Sequence, residues 1–195
     1  MAIHPAGRPR QAEDVTRAEL VRGGVHTQTA LLGVRGYYRD SMGKKGKNDR
    51  GIYDDALFLV GPGGHWTFNA NTDPSKHAHG IAVLKPGLWL YKIGIHGLSK
   101  PRHPSGTLEY TDASYQYAAL VQAQKVVVVR DGKGEDAGWF GINIHRGSTT
   151  TTSSLGCQTI RPTQWAEFLM LVRRELAAAK QVTLPYLLVA RDEVK

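Results

Sequence analysis

The chain has a single cysteine, Cys157, and His145 stands twelve residues before it. A thiol attacks as its thiolate, which near neutral pH needs a neighbouring base to take the proton. The residues between the two suit such a meeting. Gly141-Ile142-Asn143-Ile144 reads as a strand that delivers His145 to its end, and the hydroxyl run Ser148 to Ser154 forms a small-residue loop. Gly156 then permits a tight turn that presents Cys157 at the start of the next element. Main-chain N–H groups at Gly156 and Cys157 are the natural holders of a developing oxyanion. The chemistry is acyl transfer, with Cys157 as nucleophile and His145 as base. Ser154, Arg146, Arg161 and His96 are the candidates for contacting a substrate, the two arginines because a guanidinium grips a carboxylate through two parallel hydrogen bonds.

Other polar residues carry weaker chemistry. His77, His79, His96 and His103 are metal-ligand types, but no His-Glu-x-x-His is present, so the expectation is no metal and no cofactor. Asp54 and Asp55 are adjacent. On a strand, neighbours face opposite sides, so they are expected as a solvated strand edge or in a turn role and not as an acid/base pair. Arg35 is expected to be solvated. Lys44, Lys45, Lys47 and Arg50 make a basic cluster, expected to be a mobile loop, without the Gly-x-x-x-x-Gly-Lys-Ser/Thr of a phosphate loop.

The elements that must position these groups are mostly strands. Residues 31–38 form an apolar run, and 54–61 reads as a buried strand that returns through a Gly61-Pro62-Gly63-Gly64 turn into 65–69 as a hairpin. Residues 80–84 and 88–95, around Lys85-Pro86-Gly87, are expected to make another pair. Residues 125–129 read as a central strand, 139–144 as the next and 182–190 as the last. Helices are expected at 11–21 and at 163–180, where Trp165, Phe168, Leu169, Val172 and Leu176 recur at helical spacing behind Pro162. The fold class is α+β, mainly β, with one well-marked late amphipathic helix. Residues 1–27 form a polar lead-in, and 28–195 a single catalytic domain.

At 195 residues the chain is long enough to bury a core, and its 41% hydrophobic content is that of a globular protein. No apolar run approaches the ~18 residues needed for a membrane span. The lone cysteine excludes an internal disulfide. Lys+Arg exceed Asp+Glu by 25 to 17, giving +8, which favours an anionic partner. No aromatic-interleaved basic stripe of the kind single-strand binders use is present, so nucleic acid is not the expected partner, but the charge itself says only anionic surroundings, an anionic cell envelope being the other candidate.

The stretch from Gly141 to Ile160 resembles the catalytic segment of the L,D-transpeptidase (YkuD-like) family. That pattern has a His-Gly pair, a loop and Ser-His-Gly-Cys followed by apolar residues. Here His145, Ser154, Gly156, Cys157 and Ile160 fall on it, and residues 84–92 are similar to the family's Pro-x-Gly turn and strand. The likeness covers roughly residues 80–165. Arg146 separates His145 from Gly147, Leu155 replaces the second His, and Thr159 stands where an Arg is usual, with Arg161 nearby. The resemblance implies a β-rich catalytic domain that forms an acyl-enzyme on peptidoglycan stem peptides. The expected activity is that of an L,D-carboxypeptidase or endopeptidase. With no apolar leader, the expectation is an enzyme made in the cytoplasm that acts in the periplasm or wall after release, as a phage endolysin does, or after delivery as an antibacterial effector. The rivals are transfer of the acyl group to an amine, a non-catalytic wall-binding or phage structural module, and a histidine metallopeptidase.

Overall fold

The run Asp55–Gly61 (β2) is buried along its whole length, because apolar layers cover both of its faces. Leu57 and Leu59 belong to the inner core, whereas Ala56, Phe58 and Val60 belong to an outer one. A computed structural model describes residues 3–97 and 116–191 and explains this double burial. β2 is one stave of a closed eight-stranded barrel.

The other strands of the barrel are β1 (Ala30–Arg35), β3 (Gly64–Asn71), β5 (Gly87–His96), β6 (Tyr117–Gln122), β9 (Ile144–Arg146), β10 (Gln158–Ile160) and β11 (Leu184–Ala190). Their order around the barrel is β1-β11-β5-β6-β9-β10-β3-β2, and β2 closes back on β1. Two junctions, β1 with β11 and β9 with β10, are parallel. A separate antiparallel sheet has the order β4-β7-β8, made of Ala82–Leu84, Val126–Arg130 and Gly134–Gly138.

Two helices complete the core. Helix α2 (Pro162–Ala178) starts on its proline and turns Trp165, Phe168, Leu171, Val172 and Leu176 into the inner cluster. There Phe168 meets Phe68 edge to face, with ring centroids 5.1 Å apart. Helix α1 (Glu13–Arg22) lies outside, with Leu20 in the cluster that covers the outer faces of β1 and β2. The lead-in also lies on the barrel, since the Tyr53 amide donates to the Ile3 carbonyl at 2.7 Å and Pro9 is buried.

The chain is thus mainly β, with the hairpin, both helices and the last strand close to their expected positions. Two expectations fail. Residues 82–84 and 87–96 do not pair with each other; β4 joins β7 in the small sheet, while β5 lies between β11 and β6 in the barrel. Residues 139–144 are also not one strand. Gly141 takes φ +68°, which breaks extended geometry, so β8 ends at Gly138 and β9 begins only at Ile144.

Candidate active site

The parallel junction of β9 and β10 creates the site. Gln158 pairs with Ile144 and Thr159 with His145, so Cys157 stands beside Asn143, two residues behind His145 on the neighbouring strand. At β-sheet spacing that places the two Cα atoms about 8 Å apart, within reach of an imidazole and a thiol on the same face.

Gly156 has φ +144°, and a Cβ there would lie 2.8 Å from the Ala82 carbonyl oxygen and 2.9 Å from Ile142. Only glycine lets β4 come this close. Ser154 holds the turn from inside: its hydroxyl accepts the Gly156 amide at 3.0 Å and donates to the Cys157 carbonyl at 2.6 Å. The loop is anchored further back. Ser75 receives the Ser154 amide at 2.7 Å, and the Ser75 amide donates to the Ser154 carbonyl at 2.7 Å. Tyr53 donates to the Ser148 carbonyl at 2.7 Å, a contact for which Gly147 must lack a side chain.

The thiol is half-buried. Its Sγ–H donates to the Gly141 carbonyl at 3.3 Å, and the Asn143 amide points at Sγ at 3.4 Å. Loss of water pushes the thiol up to about 11, against a smaller pull downward from the Asn143 amide. His145 is 5% exposed. Its Nδ1 lies 2.8 Å from the Arg146 carbonyl and 3.1 Å from Tyr117 Oη. A carbonyl only accepts, so Nδ1 carries the proton and Nε2 is left as the acceptor. Burial drives its pKa down to about 4, and His96 and the Arg146 charge push the same way. At neutral pH the two groups are therefore a neutral thiol and a neutral imidazole. Among the described residues no hydrogen bond joins Sγ to His145.

Of the other expected site residues, His96 joins the base and the rest take other contacts. His96 stacks on His145 with ring centroids 4.1 Å apart. Arg146 is exposed and lies over the Tyr117 ring at 5.4 Å. Arg161 stands at the far end of β10 from Cys157, about 13 Å along the strand. There it lines a small cavity of 70 Å³ with His4, Tyr53, Ser148 and Thr149. Ser154, expected to touch substrate, is instead 3% exposed and committed to the turn. The Gly156 amide is likewise engaged by Ser154, which leaves the Cys157 amide as the oxyanion donor of that turn. His79 lines a groove of 330 Å³ with Arg130, Phe140, Ile142 and Leu155, on the β4 side of Gly156. Among the described residues no three His, Cys, Asp or Glu side chains gather around a common point, and His103 lies outside those residues.

Two surface expectations are overturned, the solvation of the Asp54–Asp55 pair and that of Arg35. Asp54 and Asp55 are both fully buried. Asp55 accepts the Gly36 amide at 2.6 Å, the Thr72 amide at 2.5 Å and the Thr72 hydroxyl at 2.8 Å. Arg35 is not solvated: it pairs with Asp73 at 3.1 Å and donates to the Thr72 and Leu84 carbonyls. Arg50, in the basic loop, is fixed by two hydrogen bonds to Asp131 at 2.5 and 2.8 Å.

Sequence reasoning missed Tyr117, which opens a mostly apolar six-residue strand with no polar pattern to mark it, and Ser75, which lies in a short loop after β3. Among the described residues no helix is long and apolar enough to cross a membrane. No family model matches the chain, and no curated protein or solved structure matches it significantly.

Proposed function

We propose that the protein is a cysteine enzyme of the L,D-transpeptidase kind that hydrolyses peptidoglycan stem peptides, as an L,D-carboxypeptidase or endopeptidase. The observation that carries this reading is the imidazole of His145. Its Nδ1–H is fixed by the Arg146 carbonyl, its Nε2 is unprotonated, and it stands one strand from the turn that presents Cys157. An oriented neutral base beside a thiol on a glycine turn is the arrangement that acyl transfer needs.

The raised thiol makes proton transfer part of the attack and not a step before it. As Cys157 Sγ bonds to the substrate carbonyl carbon, its proton passes to His145 Nε2, and the oxyanion is met by the Cys157 amide. The C–N bond then breaks and the leaving amine takes that proton, which leaves a thioester. Water gives a proton to His145 and attacks the thioester. The C–S bond breaks, the acid is released, and the proton returns to sulfur. The +8 charge supports a site of action at an anionic envelope, in the periplasm or wall, with release in phage lysis or delivery as an effector as the routes.

A second reading has its own observation. The desolvated thiol, without a hydrogen bond to His145, is also what a non-catalytic wall-binding module would show. Digestion of purified Gram-negative sacculi by wild type and Cys157→Ala, with muropeptides read by mass spectrometry, tests both. Loss of a terminal residue or of crosslinks with wild type alone supports the enzyme. Equal release by the variant overturns the cysteine mechanism, and sacculus binding without release supports the module. An added acceptor amine separates hydrolysis from transfer.

A further inference from the structure

A second imidazole covers the proposed base. His96, the last residue of β5, stacks on His145 with planes 24° from parallel. His96 is itself held, since Asn143 Nδ2 donates to its Nδ1 at 3.0 Å. Asn143 also presents its main-chain N–H to Cys157 Sγ. One residue therefore meets the thiol through its backbone and, through its side chain, holds the ring that lies on the base. Asn143 is 6% exposed and His145 5%, so this connection is largely screened from water.

We propose that His96 is a positioning residue for His145, locked by the Asn143 side chain, and that this pair sets the plane in which His145 Nε2 approaches the Cys157 thiol. The inference rests on the cysteine-enzyme reading and deepens it, because it concerns the same base. A ring stacked at 4.1 Å cannot turn about χ2 without displacing its neighbour, and the Asn143 hydrogen bond opposes that displacement. The stack also disfavours protonation, because two cations in contact in a poorly hydrated site repel strongly. Burial is the larger cause of the low His145 basicity and His96 the next. The other groups facing the ring are Tyr117 from β6, which is neutral, and Arg146 on β9, whose charge opposes a second one. Helix α2 contributes Trp165, packed on Tyr117 and uncharged.

The test uses the full chain with ¹³C-labelled histidine. Ring Cε1–H resonances are followed with pH in wild type, His96→Phe and Asn143→Leu, beside kcat and KM on a stem peptide. His96→Phe keeps an aromatic face and removes the charge, so the His145 midpoint should rise from near 4 by about half a unit to one unit. Asn143→Leu frees His96 and should shift both histidine midpoints. Both variants should lower kcat about tenfold or more with KM little changed. If both leave the His145 midpoint and kcat where they are, the proposal is overturned. A purely structural role would lower Tm without moving the midpoint. If His96→Phe does not fold, Asn143→Leu decides alone. If wild type hydrolyses no stem peptide, the enzyme reading fails, while the titrations still show whether His96 governs the state of His145.

Discussion

The Ser154 hydroxyl is bound at both ends of the Gly156–Cys157 turn, accepting from the Gly156 amide and donating to the Cys157 carbonyl. It is the internal brace of the segment that presents the thiol. Ser154→Ala leaves a buried N–H and a half-buried C=O without that partner, at a cost of about 1–3 kcal/mol. Urea unfolding should show this loss. Hydrolysis should fall more than stability explains, because the Cys157 amide loses its fixed direction. An unchanged midpoint in urea would show that water replaces the hydroxyl and that the brace is dispensable.

Gly156→Ala is the severer change. The added methyl meets the Ala82 carbonyl, a main-chain atom that cannot swing aside, at a φ that L residues rarely adopt. Destabilisation of about 2–4 kcal/mol is expected. Gly7→Ala, which meets nothing within 4 Å, is the matched control and should lie within about 0.5 kcal/mol of wild type. Equal effects in thermal melts would remove the steric argument.

The buried carboxylates make stability depend on pH. Burial, with Asp55 alongside, pushes Asp54 up to about 9, and its Oδ1 has no hydrogen-bond partner. Asp55 has three donors and a nearby Arg35, so the shared proton belongs on Asp54. The folded state thus holds a proton that an unfolded Asp releases near pH 4. The stabilisation it gives is complete below that pH and is lost as pH rises toward about 9. Below about pH 6.5 the unfolded His145 binds a proton that the buried ring does not, which opposes this slope, so Tm should fall between about pH 6.5 and 9 in wild type, and Asp54→Asn should flatten that fall. A melt profile that rises with pH across that range, or is identical in the variant, would contradict this assignment.

Alkylation of Cys157 reports the state of the thiol. A rise from 9.0 to about 11 leaves roughly a hundredfold less thiolate at neutral pH than an ordinary cysteine has. Iodoacetamide should therefore react slowly at pH 7 and faster with each step up in pH. Rapid, pH-independent alkylation between pH 5 and 8 would instead reveal a standing thiolate–imidazolium pair.

Local pattern revealed most elements but not their partners. The β2–β3 hairpin was legible because its turn and both strands are contiguous, and α2 because its apolar stripe has helical period. The partners of β5 were not legible. Its neighbour in sequence, β4, is diverted into the small sheet, and β5 instead lies between β6 and β11, the second of which stands about ninety or more residues on. Residues 139–144 have the apolar content of a strand, yet Trp139 is 61% exposed and Gly141 breaks the run. In the site, Cys157 and His145 could be found because a short loop joins them. Asp54, Asp55 and Arg35 were misplaced because charge is normally a surface signal. Here the two aspartates are buried and Arg35 is half-buried, against hydrogen-bond donors or acceptors from Gly36, Asp49, Thr72 and Leu84. Ser154 is one of seven consecutive hydroxyl residues, and composition does not distinguish a brace from its neighbours.

The parallel seam between β1 and β11 has a consequence for the order of assembly. Of the eight staves, β11 is the last to leave the ribosome, yet it is the one that joins β1 to β5. Until it arrives, the wall stands open along two strand edges, and the inner faces of Leu31 and Tyr91 lack their neighbours Tyr186 and Leu184. Closure must therefore be a late event that follows complete synthesis of this region. A nascent chain halted before residue 184 would expose edges prone to pairing with other chains.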